Sequence, residues 1–159
     1  MEIVTEHPVL VVVDYAHTAS AMEAMLKHWR TMADKRGRQL WVVFGCGGDR
    51  EADKRPQMGR LACTYCDHVV LCDDNPRSED PNRILAQIAE GCDGRQKIIR
   101  ERGEAIKFVL DGAQTDDIII VAGKGGETSL IQDTTMTCLS DREWIERWLG
   151  QAGRKETCF

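Results

Sequence analysis

Four apolar runs constrain the fold more than anything else in the chain. "VLVVVD" (9–14), "QLWVVFG" (39–45), "DHVVLCD" (67–73) and "DIIIVAG" (117–123) are nearly unbroken in large apolar residues, many of them β-branched. A strand with one wet face alternates apolar and polar residues. A strand covered on both faces does not, and this is the pattern of parallel sheets. Between the runs the apolar period changes to that of helices. Met22, Met25, Leu26, Trp29, Met32 and Ala33 form one stripe, and Ile84, Leu85 and Ile88 another. Met58, Leu61 and Ala62 follow Pro56; Ala105, Ile106, Val109 and Leu110 form a fourth stripe; Trp144, Ile145, Trp148 and Leu149 form a fifth. Strands alternating with helices predict an α/β fold with a mostly parallel, doubly wound sheet and flanking helices.

Local signals mark several boundaries. Ser20 and Glu23 are spaced as a capping box for the first helix, and Ser140 and Glu143 for the last. Asp80-Pro81 reads as an N-cap followed by proline in the first turn. The stretch 128–139, "TSLIQDTTMTCL", alternates weakly and is read as a hairpin or extended excursion. Residues 1–150 are expected to form one domain, with 151–159 as a flexible tail.

Composition narrows the function classes. A length of 159 residues suits one domain with a real core. A net charge of -5 provides no broad cationic face, which disfavours nucleic-acid binding. No apolar run approaches the ~20 residues of a membrane span, and the amino terminus lacks the features of a signal peptide. Seven cysteines with scattered spacing are read as reduced thiols, consistent with a cytoplasmic protein. Cys63 and Cys66 form a lone C-x-x-C. No second pair follows, so metal and redox roles are disfavoured against two small residues near a helix end.

In an open α/β sheet, ligands bind beyond the carboxyl ends of the strands. Four segments fall there: "DYAHT" (14–18), "GCGGDREADKRP" (45–56), "DDNPR" (73–77) and "AGKGGE" (122–127). Together they are richer in glycine and charge than connections require, which predicts one composite site. Neither a phosphate-binding G-x-x-x-x-G-K-[ST] loop nor a G-x-G-x-x-G turn occurs after the first run. No nucleophilic triad is evident by spacing, and His17 alone is weak evidence for a base. No residue is assigned a catalytic or metal-binding role.

"VVVDYAHT", "LWVVFGCGGDR" with its following "KRPQMG", "DHVVLCDDNPRSEDP", "VAGKGGE" and "SDRE" resemble, in order and approximate spacing, the carboxy-terminal domain of Mur ligases. The resemblance runs from about Met1 to Trp148 and implies a Rossmann-like fold. It also implies a function: delivery of an amino acid within an ATP-dependent, amide-bond-forming ligase of peptidoglycan precursors. The likeness is to members that add meso-diaminopimelate to UDP-N-acetylmuramoyl-L-alanyl-D-glutamate. In such ligases ATP converts a substrate carboxylate to an acyl phosphate, and the incoming amine displaces phosphate. Other domains hold the nucleotide sugar, ATP and Mg2+, so this chain alone is expected to be inactive.

Residue by residue, the resemblance makes Asp74, Asn75, Pro76 and Arg77 the segment that grips the far end of the amino acid. Arg50, Gly123 and Glu127 become further substrate contacts. Asp14 and His17 would face the nucleotide. A guanidinium reads a carboxylate with two parallel hydrogen bonds, and meso-diaminopimelate carries a distal carboxylate that lysine lacks. The plain alternative is that Arg77 pairs with Glu79 or Asp80 on the surface. Asp14 is equally suited to ribose hydroxyls or to capping its own turn. Lys124 is left between phosphate and a structural carboxylate. Ala19-Ser20, Glu51, Ala52-Asp53 and Gly126 depart from the family pattern. Of these, Ala19, Ser20 and Gly126 motivate a second reading: a stand-alone, non-catalytic binding or regulatory protein derived from this domain. Another amino-acid ligase of the superfamily, such as a folylpolyglutamate or cyanophycin enzyme, accounts for "DYAH" but poorly for "DDNPR".

Overall fold

A computed structural model describes residues 1–125 and 139–156, with 152–156 as backbone alone. The anticipated hairpin at 128–139 and the candidate contact Glu127 therefore fall largely or wholly outside the described residues.

The four apolar runs become β2 (Leu10–Asp14), β3 (Leu40–Phe44), β4 (His68–Leu71) and β6 (Ile118–Ala122). Two strands carry no clear sequence signal: β1 (Glu2–Thr5) and β5 (Lys97–Ile98). The sheet order is β1-β2-β6-β3-β4-β5. Only β1 is antiparallel to its neighbour; β2, β6, β3, β4 and β5 run parallel. The late strand β6 lies between β2 and β3, so the four parallel strands whose exits form the candidate segments stand side by side.

The pleat divides the core in two. Leu10, Val12, Leu40, Val42, Phe44, Ile118 and Ile120 pack beneath α1 (Ala19–Arg36), α2 (Lys54–Tyr65) and α3 (Pro81–Ala89). Val11, Val13, Val43, Val70, Ile119 and Val121 face α4 (Arg102–Gly112) and α5 (Asp141–Glu156). Burial on both faces is why these strands show no alternation. No described helix is long and apolar enough to cross a membrane.

The helix stripes lie where the periodicity places them, with one difference at the start of α1. The N-cap is Thr18, whose Oγ1 accepts the Ala21 amide at 3.2 Å. Ser20 is inside the helix, so the expected Ser20–Glu23 box does not form. At α5 the box does form: Ser140 Oγ accepts the Glu143 amide at 3.2 Å, and Glu143 Oε2 accepts the Ser140 amide at 2.7 Å. Helix α5 continues past residue 150 through Glu156. Asp80 caps α3, accepting the Asn82 amide at 2.9 Å, with Pro81 at the first helical position.

A buried ion pair joins the second layer to the sheet. Arg102 grips Asp141 with two bonds of 2.7 Å and donates to the Ala122 carbonyl at 2.9 Å. It thereby ties the amino ends of α4 and α5 to the exit of β6.

Candidate functional site

The four strand exits converge on one cleft of about 650 Å³. Tyr15, His17 and Thr18 come from the exit of β2. Gly47, Asp49, Arg50, Glu51 and Lys54 follow β3. Asp74, Asn75 and Arg77 follow β4, and Gly123 follows β6. Of the sequence candidates, Arg50, Asp74, Asn75, Arg77, Gly123 and His17 line the cleft. Asp14 and Pro76 do not.

Arg77 makes neither of the surface pairings its neighbours suggest. Glu79 is taken by Arg55, with two bonds of 2.8 Å, and Asp80 caps α3. The Arg77 guanidinium instead donates from Nη1 to the Gly48 carbonyl at 2.6 Å. No carboxylate of the described residues pairs with it or with Arg50. The Arg77 backbone has φ +50, unusual for a residue with a Cβ. Tight contact between two loops sustains this. The Gly48 amide donates to the Asn75 carbonyl at 2.8 Å, and a Cβ on Gly48 would sit 1.8 Å from the Pro76 oxygen. Only glycine fits there.

The cleft that Arg77 lines also holds acceptors with spare capacity. Asp74 Oδ1 accepts the Asn75 amide at 2.6 Å and is 3.9 Å from Lys124 Nζ. Its Oδ2 accepts no hydrogen bond from the described residues. Asn75 Oδ1 is buried and has no partner among them either, and a buried orphan acceptor is costly unless a ligand or water completes it. Gly123 adopts φ +107, and the point where its Cβ would lie is 3.4 Å from Asp74 Oδ2. Lys124 thus lies toward a carboxylate of its own chain.

The nucleotide candidates are placed differently. Asp14 caps its own turn, with Oδ1 accepting the Ala16 amide at 2.8 Å. His17 lies in the cleft wall, its Nδ1 2.9 Å from the Tyr15 carbonyl. Lys54, which the sequence reading passed over, donates to the His17 carbonyl at 2.8 Å and joins this wall to α2. Asp49 and Tyr15 also line the cleft without a sequence signal, and Glu51, which departs from the family pattern, lines it as well. A lysine opening the first turn of a helix that carries Pro56 is a usable hint for Lys54. Nothing local marks the others.

The charges beneath the cleft are strongly coupled. The Arg55 guanidinium holds the Glu79 carboxyl down to about 2, helped by the Asp49 amide. The Ser78 hydroxyl and amide hold the Asp49 carboxyl below its ordinary value. Burial pushes the Cys46 thiol up to about 12 and the Cys72 thiol to about 11, so neither is a ready nucleophile. Cys63 and Cys66 are buried at the end of α2. Among the described residues no group of three or more His, Cys, Asp or Glu is arranged to hold a metal.

Comparison with known proteins agrees with this architecture. The profile of the Mur ligase, glutamate ligase domain family matches residues 1–125. The UDP-N-acetylmuramoyl-L-alanyl-D-glutamate–2,6-diaminopimelate ligase of Alkalilimnicola ehrlichii is 47% identical over 144 residues, covering 89% of this chain and 28% of that protein. The ligase of the same name from Ralstonia nicotianae is 47% identical over 146 residues, covering 91% of this chain and 28% of its own length. A solved structure of a ligase of that name superposes with a TM-score of 0.84 at 40% identity, over 96% of this chain and 31% of that one. The chain thus spans little more than a quarter of the curated relatives it matches. From the parallel sheet, the converging strand exits and these matches, the chain belongs to the Mur ligase, glutamate ligase domain family.

Proposed function

We propose that this chain is the amino-acid-delivering domain of an ATP-dependent ligase that adds meso-diaminopimelate to UDP-N-acetylmuramoyl-L-alanyl-D-glutamate. The observation that carries this reading is the juxtaposition of Arg77, unpaired with any described carboxylate, with two unfilled acceptors, Asp74 Oδ2 and Asn75 Oδ1. A guanidinium beside free acceptors complements a carbon that bears both a carboxylate and an ammonium. Meso-diaminopimelate has such a centre at its far end and lysine does not.

In this reading Arg77 and Arg50 receive the distal carboxylate, and Asp74 and Asn75 receive the distal ammonium. Gly123 permits close approach. The other amino group is left to point out of the cleft, where an acyl phosphate would be presented. The residues of this chain bind and orient; they do not activate the carboxylate. ATP and Mg2+ supply that activation when held by parts of the protein outside this chain, since no phosphate-binding loop is present. In this reading His17, in the cleft wall, and Asp14, at the exit of β2, face that nucleotide, and Glu127 is retained as a substrate contact. The stand-alone binding reading draws on Ala19 and Ser20, which line a second groove beside the first. Both readings share the amino-acid cleft.

Isothermal titration of the chain with meso-diaminopimelate and with L-lysine tests the shared claim. Tighter binding of meso-diaminopimelate supports it. Equal response to the two ligands contradicts it. Adding the chain to a preparation that supplies the missing domains, and assaying amide formation, separates the ligase from the binding module.

A further inference from the structure

The most deeply buried charge near the cleft is one that no ligand could touch. Arg55, in the first turn of α2, is wholly buried. Its fork takes both oxygens of Glu79 at 2.8 Å, and it also donates to Gln87 Oε1 at 2.6 Å and to the Gly47 carbonyl at 3.1 Å. Glu79 Oε1 in turn accepts the Asp49 amide at 2.6 Å. Asp49, at φ +53, accepts the Ser78 hydroxyl at 2.6 Å and the Ser78 amide at 3.2 Å. This network of hydrogen bonds joins α2, α3 and the loops after β3 and β4. Arg77 lies within the segment it braces.

Stability alone does not explain this arrangement. Desolvation offsets most of the attraction within a buried ion pair, so such a pair is weak evidence of stabilisation. What it supplies is geometry. Two residues with left-handed backbones, Asp49 and Arg77, stand on facing loops, and such conformations persist only where their surroundings over-determine them. Recognition by a fork of hydrogen bonds fails when the fork is displaced by about an ångström.

We propose that Arg55, acting through Glu79, is a positioning residue for carboxylate recognition. It locks the two loops together so that Arg77 faces the cleft in the orientation that reads the distal carboxylate. This rests on the amino-acid reading above. Because Arg55 touches no ligand, its removal shows in selectivity through Arg77 rather than in a contact of its own.

The test uses the 159-residue chain carrying Glu79→Ala, made alone and together with Arg77→Ala, with Glu79→Gln as the conservative variant. Glu79 is 27% exposed, so its truncation opens no large cavity; if Glu79→Ala fails to fold, Glu79→Gln carries the measurement. Two quantities are read: hydrogen exchange of the Gly48 amide in the free chain, and the ratio of dissociation constants for L-lysine and meso-diaminopimelate. The expected result is exchange faster by about tenfold and a selectivity ratio lower by about tenfold. Glu79→Gln should restore part of both. In the Arg77→Ala background, Glu79→Ala should add no further loss, because coupled residues are not additive. A folded variant that keeps wild-type selectivity, or an equal loss in both backgrounds, overturns the proposal. A wild-type chain that does not discriminate defeats the amino-acid reading instead, and the positioning claim with it. Exchange at Gly48 then decides whether the brace exists: an unchanged rate rejects that too.

Discussion

Arg77 Nη1 donates to the Gly48 carbonyl at 2.6 Å, so the residue expected to read the ligand is anchored on the loop from the neighbouring strand. Two strand exits act as one element. The bond leaves the rest of the guanidinium free to meet a carboxylate, and each loop depends on the other for its shape.

That dependence is most exposed at Gly48. A Cβ there would sit 1.8 Å from the Pro76 oxygen and 2.6 Å from the Pro76 carbonyl carbon. Backbone on the other side cannot rotate away as a flexible side chain would. Gly48→Ala is expected to cost about 1–3 kcal/mol in unfolding free energy and to weaken amino-acid binding by more than it lowers stability. Urea denaturation alongside calorimetry checks this. A variant with wild-type stability and binding would show that the loops are not in register.

The Glu79 carboxyl gives the domain a specific acid response. Its folded value, about 2, is depressed below the ordinary 4.5 by Arg55 and the Asp49 amide. A depressed carboxyl contributes stability that is fully present above the unfolded value. That contribution is lost as pH falls from about 4.5 through about 2. Glu79→Gln removes the titration, so stability should vary less with pH across this window than in the wild type. Denaturation midpoints at pH 5, 4 and 3 test this, and parallel curves for the two proteins would exclude the assignment.

Behind the cleft, Arg102 and Asp141 are 8% and 2% exposed and hold each other with two short bonds. Removing one partner strands the other charge without water. Arg102→Met is expected to destabilise the domain by about 3–5 kcal/mol, whereas replacing both with apolar residues should recover much of the loss. Chemical denaturation of the single and double variants measures it. A single variant within experimental error of wild type would remove the pair from the account of the fold.

The buried thiols should be chemically silent in the native state. With Cys72 raised to about 11, its thiolate is on the order of one part in a thousand at pH 8, and burial blocks access as well. Cys46 and Cys66 are shifted in the same direction by the same cause. Peptide mapping after iodoacetamide treatment should find all three protected in the native chain and modified in guanidinium chloride. Rapid native labelling of Cys72 would mean that the exit of β4 opens.

The sheet was largely legible in the sequence because its four central strands are buried on both faces and so advertise themselves as unbroken apolar runs. The outer strands were not. β1 is four residues long and β5 two, and their side chains are mostly exposed, so no stripe marks them. Thr18 and Ser20 are hydroxyls two residues apart, each able to cap α1, and nothing in the local pattern separates them. The exits that build the cleft were legible because glycine follows two of the central runs and charged residues stand at or just after all four. Arg55 was not: one charge in a helical stripe reads as solvated, and its partners Glu79 and Gln87 are distant in sequence. Glu79 and Asp80 were the obvious partners for Arg77 by proximity, but Glu79 is taken by the distant Arg55 and Asp80 by the local N-cap of α3.

The central claim is that Arg77 reads a carboxylate which lysine lacks. The most direct measurement is the pair of dissociation constants for meso-diaminopimelate and L-lysine on the wild-type chain and on Arg77→Lys, which keeps the charge but loses the fork. Charge-assisted bonds to a carboxylate contribute about 1.5–3 kcal/mol, so wild type should prefer meso-diaminopimelate by at least about tenfold. Arg77→Lys should lose most of that preference through weaker meso-diaminopimelate binding. Equal affinities in the wild type, or a preference that survives in Arg77→Lys, would contradict the claim.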